Sequence, residues 1–124
     1  MSFLYIIRGI PGSGKSTLGE KLAPGCSFSA DDWFMEGGKY NYNKDEIAEA
    51  HKFCRANVLV SMKNHEPVIA VCNTFTRKWE FEPYIELCNT YGYTPIEIIC
   101  KGNFKNVHNV PESVIEKMKN RFEY

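Results

Sequence analysis

Residues 9–17 read G-I-P-G-S-G-K-S-T and fill every fixed position of the pattern G-x-x-x-x-G-K-[ST]. In a P-loop of this kind, glycines let the backbone wrap so that its N–H groups face the phosphates of a nucleotide. Lys15 supplies a cation to the β- and γ-phosphates, and the hydroxyl of Ser16 binds Mg²⁺. The motif requires a strand before the loop and a helix after it. The chain offers both, because residues 3–7 are an apolar run and residues 17–22 read as a helix.

The whole loop is expected to hold the nucleotide. Its contact residues are predicted to be Gly9, Pro11, Gly12, Ser13, Gly14, Lys15, Ser16 and Thr17. The helix that begins near Lys15 adds the positive end of its dipole to this anion site. Since no position selects adenine over guanine, the predicted ligand is ATP or GTP together with Mg²⁺.

The length of 124 residues predicts one P-loop kinase-like domain, residues 1–124, without room for a separate substrate domain. Fifteen basic residues balance fifteen acidic ones, so the net charge gives no electrostatic signature of broad nucleic-acid binding. The balance does not exclude local binding of one phosphate or one strand end. The longest apolar stretches are about five residues, too short for a membrane span or a secretory signal. We therefore expect a cytoplasmic protein without a membrane partner.

The five cysteines do not form a recognisable framework. They are scattered, odd in number and never in a C-x-x-C pair, whereas a disulfide scaffold or a zinc site needs tighter spacing. His51 and Cys54 lie three apart on a predicted helix, but two ligands without further partners are weak evidence for a metal. The sequence predicts reduced thiols and no disulfide partner.

Strand-like and helix-like segments alternate along the chain. Strands are predicted at residues 3–7, 26–29, 68–72 and 95–100, and helices at 15–22, 43–63, 77–91 and 111–122, with a loop or small hairpin at 35–42. Asn43 is predicted to cap its helix with Glu46 as the capping-box partner, and Pro83 to mark a restart or kink. This alternation predicts an α/β fold, a three-layer P-loop NTPase sandwich whose parallel four- to five-stranded sheet carries helices on both faces.

In such sheets the ligand lies at the carboxyl ends of the strands. Two adjacent aspartates, Asp31 and Asp32, come directly after the predicted second strand. A carboxylate placed there could accept the proton of an attacking hydroxyl, or hold Mg²⁺ through water. Either aspartate could equally well cap the following turn. The residues alone leave these interpretations open.

The central strand ends without an acidic residue. A typical P-loop enzyme has an Asp there to hold the waters of the metal, whereas this chain reads Cys72-Asn73-Thr74. Either Asn73 and Thr74 act as neutral ligands, or the metal depends on Ser16 and the aspartate pair. Transition-state charge also needs cations, and most surface lysines are merely solvated. The cations predicted at this edge are Arg77, Lys78, Lys101 and Lys105.

Four blocks of the sequence, taken together, resemble a known family. Beside the P-loop they are S-A-D-D-W-F at 29–34, N-T-F-T-R-K-W-E at 73–80 and K-N-V-H-N-V-P at 105–111. In order and spacing they look like a polynucleotide-kinase-like P-loop family, whose small members are often labelled AAA-like ATPases. The resemblance covers nearly the whole chain and implies an ATP-dependent kinase of the adenylate-kinase-like type. Its implied acceptor is a hydroxyl such as a nucleic-acid 5′ end.

The resemblance also implies roles for individual residues. Lys15 and Ser16 serve ATP and Mg²⁺, and Asp31 becomes the general base. Asn73 and Thr74 line the acceptor side, where Asp32 is also expected, and Lys105 takes the place of a lid arginine.

Three departures from the family concern the acceptor and lid regions. The phage polynucleotide kinase of this family has an Arg three residues after the base, where this chain has Phe34. Relatives commonly have an Asp where this chain has Cys72, and the lid cation is Lys105 in a shortened segment. Lysine lacks the bidentate fork of arginine, and losing one placed arginine can lower a rate by several orders of magnitude.

The leading hypothesis is a phosphotransferase that acts on a nucleic-acid 5′-hydroxyl or on a nucleoside-like alcohol. Asp31 would activate the hydroxyl, and Lys105 or Arg77 would offset the transferring charge. A second hypothesis is a catalytically reduced module that binds a nucleotide to regulate a partner protein. A third is a simple NTPase in which water replaces the acceptor.

Overall fold

The structure is a computed structural model that describes residues 1–36, 39–102 and 110–124. Its strands are β1 (Phe3–Arg8), β2 (Ser27–Phe28), β3 (Met35–Glu36), β4 (Lys39–Tyr40), β5 (Val68–Asn73) and β6 (Thr94–Ile99). Its α-helices are α1 (Lys15–Leu22), α2 (Ile47–Lys63), α3 (Glu82–Tyr91) and α4 (Glu112–Arg121). Short 3₁₀ helices span Ala30–Phe34, Lys44–Glu46 and Lys78–Phe81. The alternation of strands and helices is as predicted.

A parallel four-stranded sheet, in the order β2-β5-β1-β6, forms the centre of the fold. The strand that precedes the P-loop is internal, since Ile7 of β1 lies opposite Cys72 of β5 on one side and Ile98 of β6 on the other. Parallel neighbours need long crossover connections, which the helices provide. The carboxyl ends of β1, β2, β5 and β6 therefore meet at one edge, beside the P-loop.

Each face of the sheet is covered by helices. On one face, Ile7, Ala70 and Cys72 pack with Ala23 and with the partly buried Leu18 and Leu22, which belong to α1 and its end. On the opposite face, a larger cluster joins alternate residues of β1 and β5 to α2 and α3. It includes Leu4, Ile6, Ile69, Val71, Cys54, Val58, Met62, Tyr84 and Cys88. Burial on both faces explains the nearly continuous apolar runs of the strands. The predicted sandwich with helices on both faces is confirmed.

Local boundaries differ from the predictions where a turn precedes a helix. Asn43 accepts a hydrogen bond from the Asp45 N–H (3.0 Å) and caps a 3₁₀ turn, and α2 begins only afterwards at Ile47. The predicted helix over 77–91 is a 3₁₀ turn followed by α3, whose first turn contains Pro83. Pro lacks the N–H that would continue an existing helix, so a new helix starts around it.

Candidate functional site

The P-loop connects the end of β1 to the start of α1. Gly12 and Gly14 have φ angles of 84° and 91°, in the left-handed region that glycine adopts without strain. Gly14 is the N-cap of α1 and provides no side chain to cap it. The first N–H groups of α1 therefore have no partner within the helix, and they point toward the carboxyl edge of the sheet. Backbone donors and a helix dipole in this arrangement form an anion site.

Two contacts hold the loop tightly against the neighbouring strands. The Gly9 N–H donates to the Thr74 carbonyl (3.3 Å), just past β5. A Cβ added at Gly9 would lie 2.8 Å from the Cys100 carbonyl oxygen and closer still to Ser13 Oγ. Ser13 is buried, and within the described part of the chain its hydroxyl has no hydrogen-bond partner. A buried hydroxyl without a partner is costly, and an oxygen of a ligand bound in the loop would supply the partner that Ser13 lacks among these residues.

Gly9→Ala is expected to distort the loop, because the added methyl meets the main-chain carbonyl of Cys100 as well as the buried Ser13 side chain. Cys100 cannot yield easily, since its N–H donates to the Arg8 carbonyl at 2.7 Å. We expect the free energy of unfolding to fall by about 1–3 kcal/mol, as for other overpacked sites, and affinity for nucleotide to fall with it. Urea denaturation checks this, with the exposed Lys21→Ala as control. Stability equal to that of the unmodified protein would show that the loop is not packed this tightly.

Lys15 lies at the beginning of α1 and turns back over the loop. Its Nζ donates to the Ile10 carbonyl at 3.1 Å. Burial lowers the pKa of Lys15, and the negative charge of Asp31 acts in the opposite direction. The charge of Asp31 therefore acts on Lys15, although sixteen positions separate the two residues in sequence. Ser16 and Thr17 are exposed at the same helix end.

The two aspartates have different environments in the 3₁₀ turn Ala30–Phe34. Ser29 Oγ accepts from the Asp31 N–H (3.1 Å), and the Ser29 N–H donates to Asp32 Oδ2 (3.0 Å). Ser29 is therefore the N-cap of the turn, and Asp32 completes the capping box, so that it takes part in capping as one of the predicted alternatives held. Burial raises the pKa of the Asp32 carboxyl. Tyr40 Oη donates to Asp31 Oδ1 at 3.1 Å. Burial, followed by the charge of Asp31, raises the pKa of Tyr40, so the phenol stays protonated and orients the Asp31 carboxylate.

Asn73 holds the aspartate turn in place. Its side chain is buried at the end of β5, where Oδ1 accepts from the Ala30 N–H (2.8 Å) and from Ser29 Oγ (3.4 Å). Its Nδ2 donates to Cys54 Sγ at 3.7 Å. All the polar atoms of the amide are thus used inside the protein, and Asn73 acts on the site by positioning the residue before Asp31. Thr74 contributes its carbonyl to Gly9, as described above.

Cys72 occupies the position where many P-loop enzymes have an acid. Its Sγ is 3.5 Å from the Lys15 carbonyl and 3.5 Å from Ser27 Oγ. Burial raises the pKa of this thiol to about 11, so it is neutral at physiological pH. The end of β5 therefore supplies no negative charge at position 72, whereas Asp31 and Asp32 supply carboxyl groups after β2.

The predicted cations are less clearly placed. Arg77 is exposed, and its N–H donates to Glu80 Oε1 (3.0 Å) at the start of the turn Lys78–Phe81. Lys105 lies outside the described residues. Lys101 Nζ sits 4.9 Å from the centre of the Tyr124 ring. Phe34 is buried and packs against Tyr40, with ring centroids 6.0 Å apart.

A cavity of about 260 Å³ adjoins the loop on the side away from Asp31. The start of the loop and the end of β6 form two walls, and the end of α4 with the following segment forms the third. The lining residues are Gly9 and Ile10, then residues 99–102, then Lys119, Phe122 and Tyr124. Sequence reasoning missed this wall, because an isolated aromatic pair after a helix matches no motif.

Other classes of site are not supported by the described residues. In residues 1–36, 39–102 and 110–124, no group of three or more His, Cys, Asp or Glu side chains is arranged to hold a metal ion. No helix in those same ranges is long and apolar enough to cross a membrane. All five cysteines are free thiols.

Comparison with known proteins agrees with this architecture. The family AAA_33, described as an AAA domain, matches residues 4–124. NEDD4-binding protein 2 of Homo sapiens is 29% identical over an alignment 133 residues long. The alignment covers 97% of this chain but only 8% of that protein. The chain thus corresponds to a small part of this much longer relative.

Two solved structures share the fold. A protein of Chloroflexus aurantiacus provisionally named a kinase has a TM-score of 0.60 and 24% identity, over 80% of this chain and 59% of that one. A chain of the Pnkp1/Rnl/Hen1 complex has a TM-score of 0.62 and 20% identity, over 94% of this chain and 38% of that one. At such identities the similarity establishes the P-loop kinase-like fold alone.

Proposed function

Because this chain belongs to the AAA_33 family of AAA domains, we propose that it is an ATP-dependent phosphotransferase. It would transfer the γ-phosphate to a hydroxyl, either at a nucleic-acid 5′ end or on a nucleoside-like alcohol. The observation that carries the proposal is the P-loop itself, whose Lys15 folds back over the loop and donates to the Ile10 carbonyl at the carboxyl edge of the sheet. The turn Ala30–Phe34, which follows β2 at the same edge, would supply Asp31 as the carboxylate for an acceptor hydroxyl.

On the donor side, the backbone N–H groups of the P-loop and the Lys15 ammonium bind the phosphates. The Ser13 hydroxyl gains the partner that it lacks among the described residues. Phosphate charge next to Lys15 opposes the effect of burial and keeps the ammonium protonated. Magnesium would be held by the exposed Ser16 hydroxyl, with Asp31 and Asp32 as further candidates, and when bound it neutralises charge on the phosphates.

On the acceptor side, Asp31 is the proposed general base. The acceptor oxygen forms a bond to the γ-phosphorus while the bond from that phosphorus to the β,γ-bridging oxygen breaks, and ADP leaves. The proton of the acceptor hydroxyl passes to the carboxylate of Asp31. The Tyr40 hydrogen bond and the Asn73 anchor hold this carboxylate in one orientation. Asp32 and Thr74 border the acceptor, and Arg77 or Lys105 offsets the transferring charge.

Two observations favour a second candidate, a nucleotide-binding module of reduced catalytic power that regulates a partner protein. The neutral thiol of Cys72 replaces a metal-binding carboxylate, and Phe34 is buried where a relative has an acceptor-side arginine. Both candidates share the nucleotide site, and they differ only in whether the phosphate is transferred. A simple NTPase would transfer it to water.

Nucleotide binding can be tested by thermal unfolding with increasing Mg²⁺-ATP or Mg²⁺-GTP. A ligand that binds only the folded state stabilises it by about 2.7 kcal/mol at a hundred times Kd. We expect a rise in Tm that grows with the logarithm of nucleotide concentration, and a smaller rise with ADP because it lacks the γ-phosphate that Lys15 contacts. No shift with any nucleoside triphosphate at millimolar concentration would contradict the proposed donor site.

A further inference from the structure

Arg8, the last residue of β1, lies directly before the P-loop and is fully buried. Its guanidinium Nε donates to the Phe75 carbonyl (3.0 Å), and Nη1 forms an ion pair with Glu97 (2.7 Å). Its Nη2 donates to the carbonyl of Glu123. Three donors thus reach three separate segments, the loop after β5, strand β6 and the residues after α4. A buried charge is costly unless it is paired and hydrogen-bonded in this way.

The segment after α4, Phe122 to Tyr124, is fastened by several contacts besides Arg8. The Glu123 N–H donates to the Thr76 carbonyl (2.6 Å), and Glu123 Oε1 accepts from the Lys78 N–H (2.7 Å). The Phe122 ring lies over the Arg8 guanidinium at 4.7 Å, and the Phe81 ring flanks it at 5.0 Å. The segment therefore runs back along the carboxyl edge of the sheet rather than away from it.

This position makes Phe122 and Tyr124 one wall of the 260 Å³ cavity beside the P-loop. The opposite wall is Gly9 and Ile10, where the phosphate-binding loop begins. Because Gly9 and Ile10 belong to both the loop and the cavity lining, a nucleotide whose phosphates lie in the loop can extend its nucleoside end into this cavity. Its aromatic rings and the cation of Lys101, which already contacts the Tyr124 ring, suit a planar base with a π-face.

We propose that the nucleobase enters this cavity against Phe122 and Tyr124, and that Arg8 is the positioning residue that fastens this aromatic wall to the P-loop. This inference deepens the proposed function and rests on its nucleotide site, not on transfer. Arg8 itself does not touch the nucleotide. It acts through the Glu123 carbonyl and the Phe122 ring. These contacts hold the aromatic wall against β1, the strand that leads into the P-loop.

The test compares calorimetric binding of Mg²⁺-ATP with that of inorganic tripolyphosphate, which has the phosphates but no base. Tyr124→Ala is the main variant, because its side chain is 63% exposed and its loss leaves the core intact. We expect ATP affinity to fall about 5- to 160-fold, the range for losing one stacked ring, with tripolyphosphate affinity unchanged within about twofold. Phe122→Ala should show the same selectivity. Tyr91→Ala, an exposed aromatic at the end of α3, is the control and should bind both ligands normally.

Arg8→Lys then tests the positioning role, since lysine keeps the charge but loses the guanidinium fork. It is expected to lose ATP affinity selectively, whereas a purely structural role would lower stability and leave the ratio of the two affinities unchanged. ATP binding by Tyr124→Ala and Phe122→Ala equal to that of the unmodified protein would overturn the inference, as would equal losses for ATP and tripolyphosphate. An unmodified protein that binds ATP but transfers no phosphate would refute the proposed activity and leave this inference standing.

Discussion

Asp31→Asn is expected to lower γ-phosphate transfer by about 10²–10⁴-fold, the usual contribution of a general base. The amide still accepts the Tyr40 hydrogen bond, so the turn keeps its shape while losing the carboxylate that takes the proton. Nucleotide affinity should stay within about threefold, because the P-loop and Lys15 are untouched. Steady-state transfer rates at saturating ATP, combined with calorimetric Kd values, separate the two effects.

Asp45→Asn is the matched control, since Asp45 is the third aspartate of the chain and lies exposed in the turn Lys44–Glu46. It makes the same chemical change outside the site and should leave transfer unaltered. Transfer that persists undiminished in Asp31→Asn would remove Asp31 as the base. The Tyr40 hydrogen bond would then serve only the structure of the turn, and the base would lie elsewhere along the edge.

Lys15→Met is expected to remove most nucleotide-dependent stabilisation and to lower transfer by about 10²–10³-fold. Methionine fills a similar volume but cannot pair with the β- and γ-phosphates. Burial lowers the pKa of Lys15, which shows that its charged form is disfavoured in the folded protein without a ligand. Stability in the absence of nucleotide should therefore fall little, while the gain on adding Mg²⁺-ATP disappears.

Thermal unfolding of Lys15→Met with and without nucleotide measures both its stability in the absence of ligand and its stabilisation by Mg²⁺-ATP. Lys21→Met on the exposed side of α1 is the control and should respond to ATP as the unmodified protein does. A Lys15→Met protein that is stabilised by ATP to the same extent would show that the phosphates bind away from the P-loop.

Local patterns predicted much of this fold, because the interactions involved are close in sequence. The apolar run of β1, the glycines of the P-loop and the start of α1 are adjacent, and together they predict the strand, loop and helix that the structure contains. The parallel sheet with helices on both faces was predicted in the same way, from the alternation of strand-like and helix-like segments. The same reasoning placed Asp31 at the edge of the sheet beside the loop.

Residues whose roles depend on distant partners were assigned less well. Asn73 was predicted to line the acceptor side, but its partners Ser29 and Ala30 lie more than forty positions away, and they turn its amide inward. Arg8 received no role at all, because its partners are 67, 89 and 115 positions away. No periodicity or motif in a single sequence records contacts of this kind. Only the folded chain brings these groups together.

The central claim is that Asp31 and Lys15 form the acceptor and donor halves of one phosphotransfer site. The most direct test is a transfer screen with γ-labelled ATP and Mg²⁺ across 5′-hydroxyl DNA, 5′-hydroxyl RNA, nucleosides and water. We predict label on an oligonucleotide or nucleoside with the unmodified protein, and transfer slower by about 10²–10⁴-fold with Asp31→Asn. Label released only as inorganic phosphate, or retained in ATP that is demonstrably bound, would contradict the claim and identify a simple NTPase or a regulatory module.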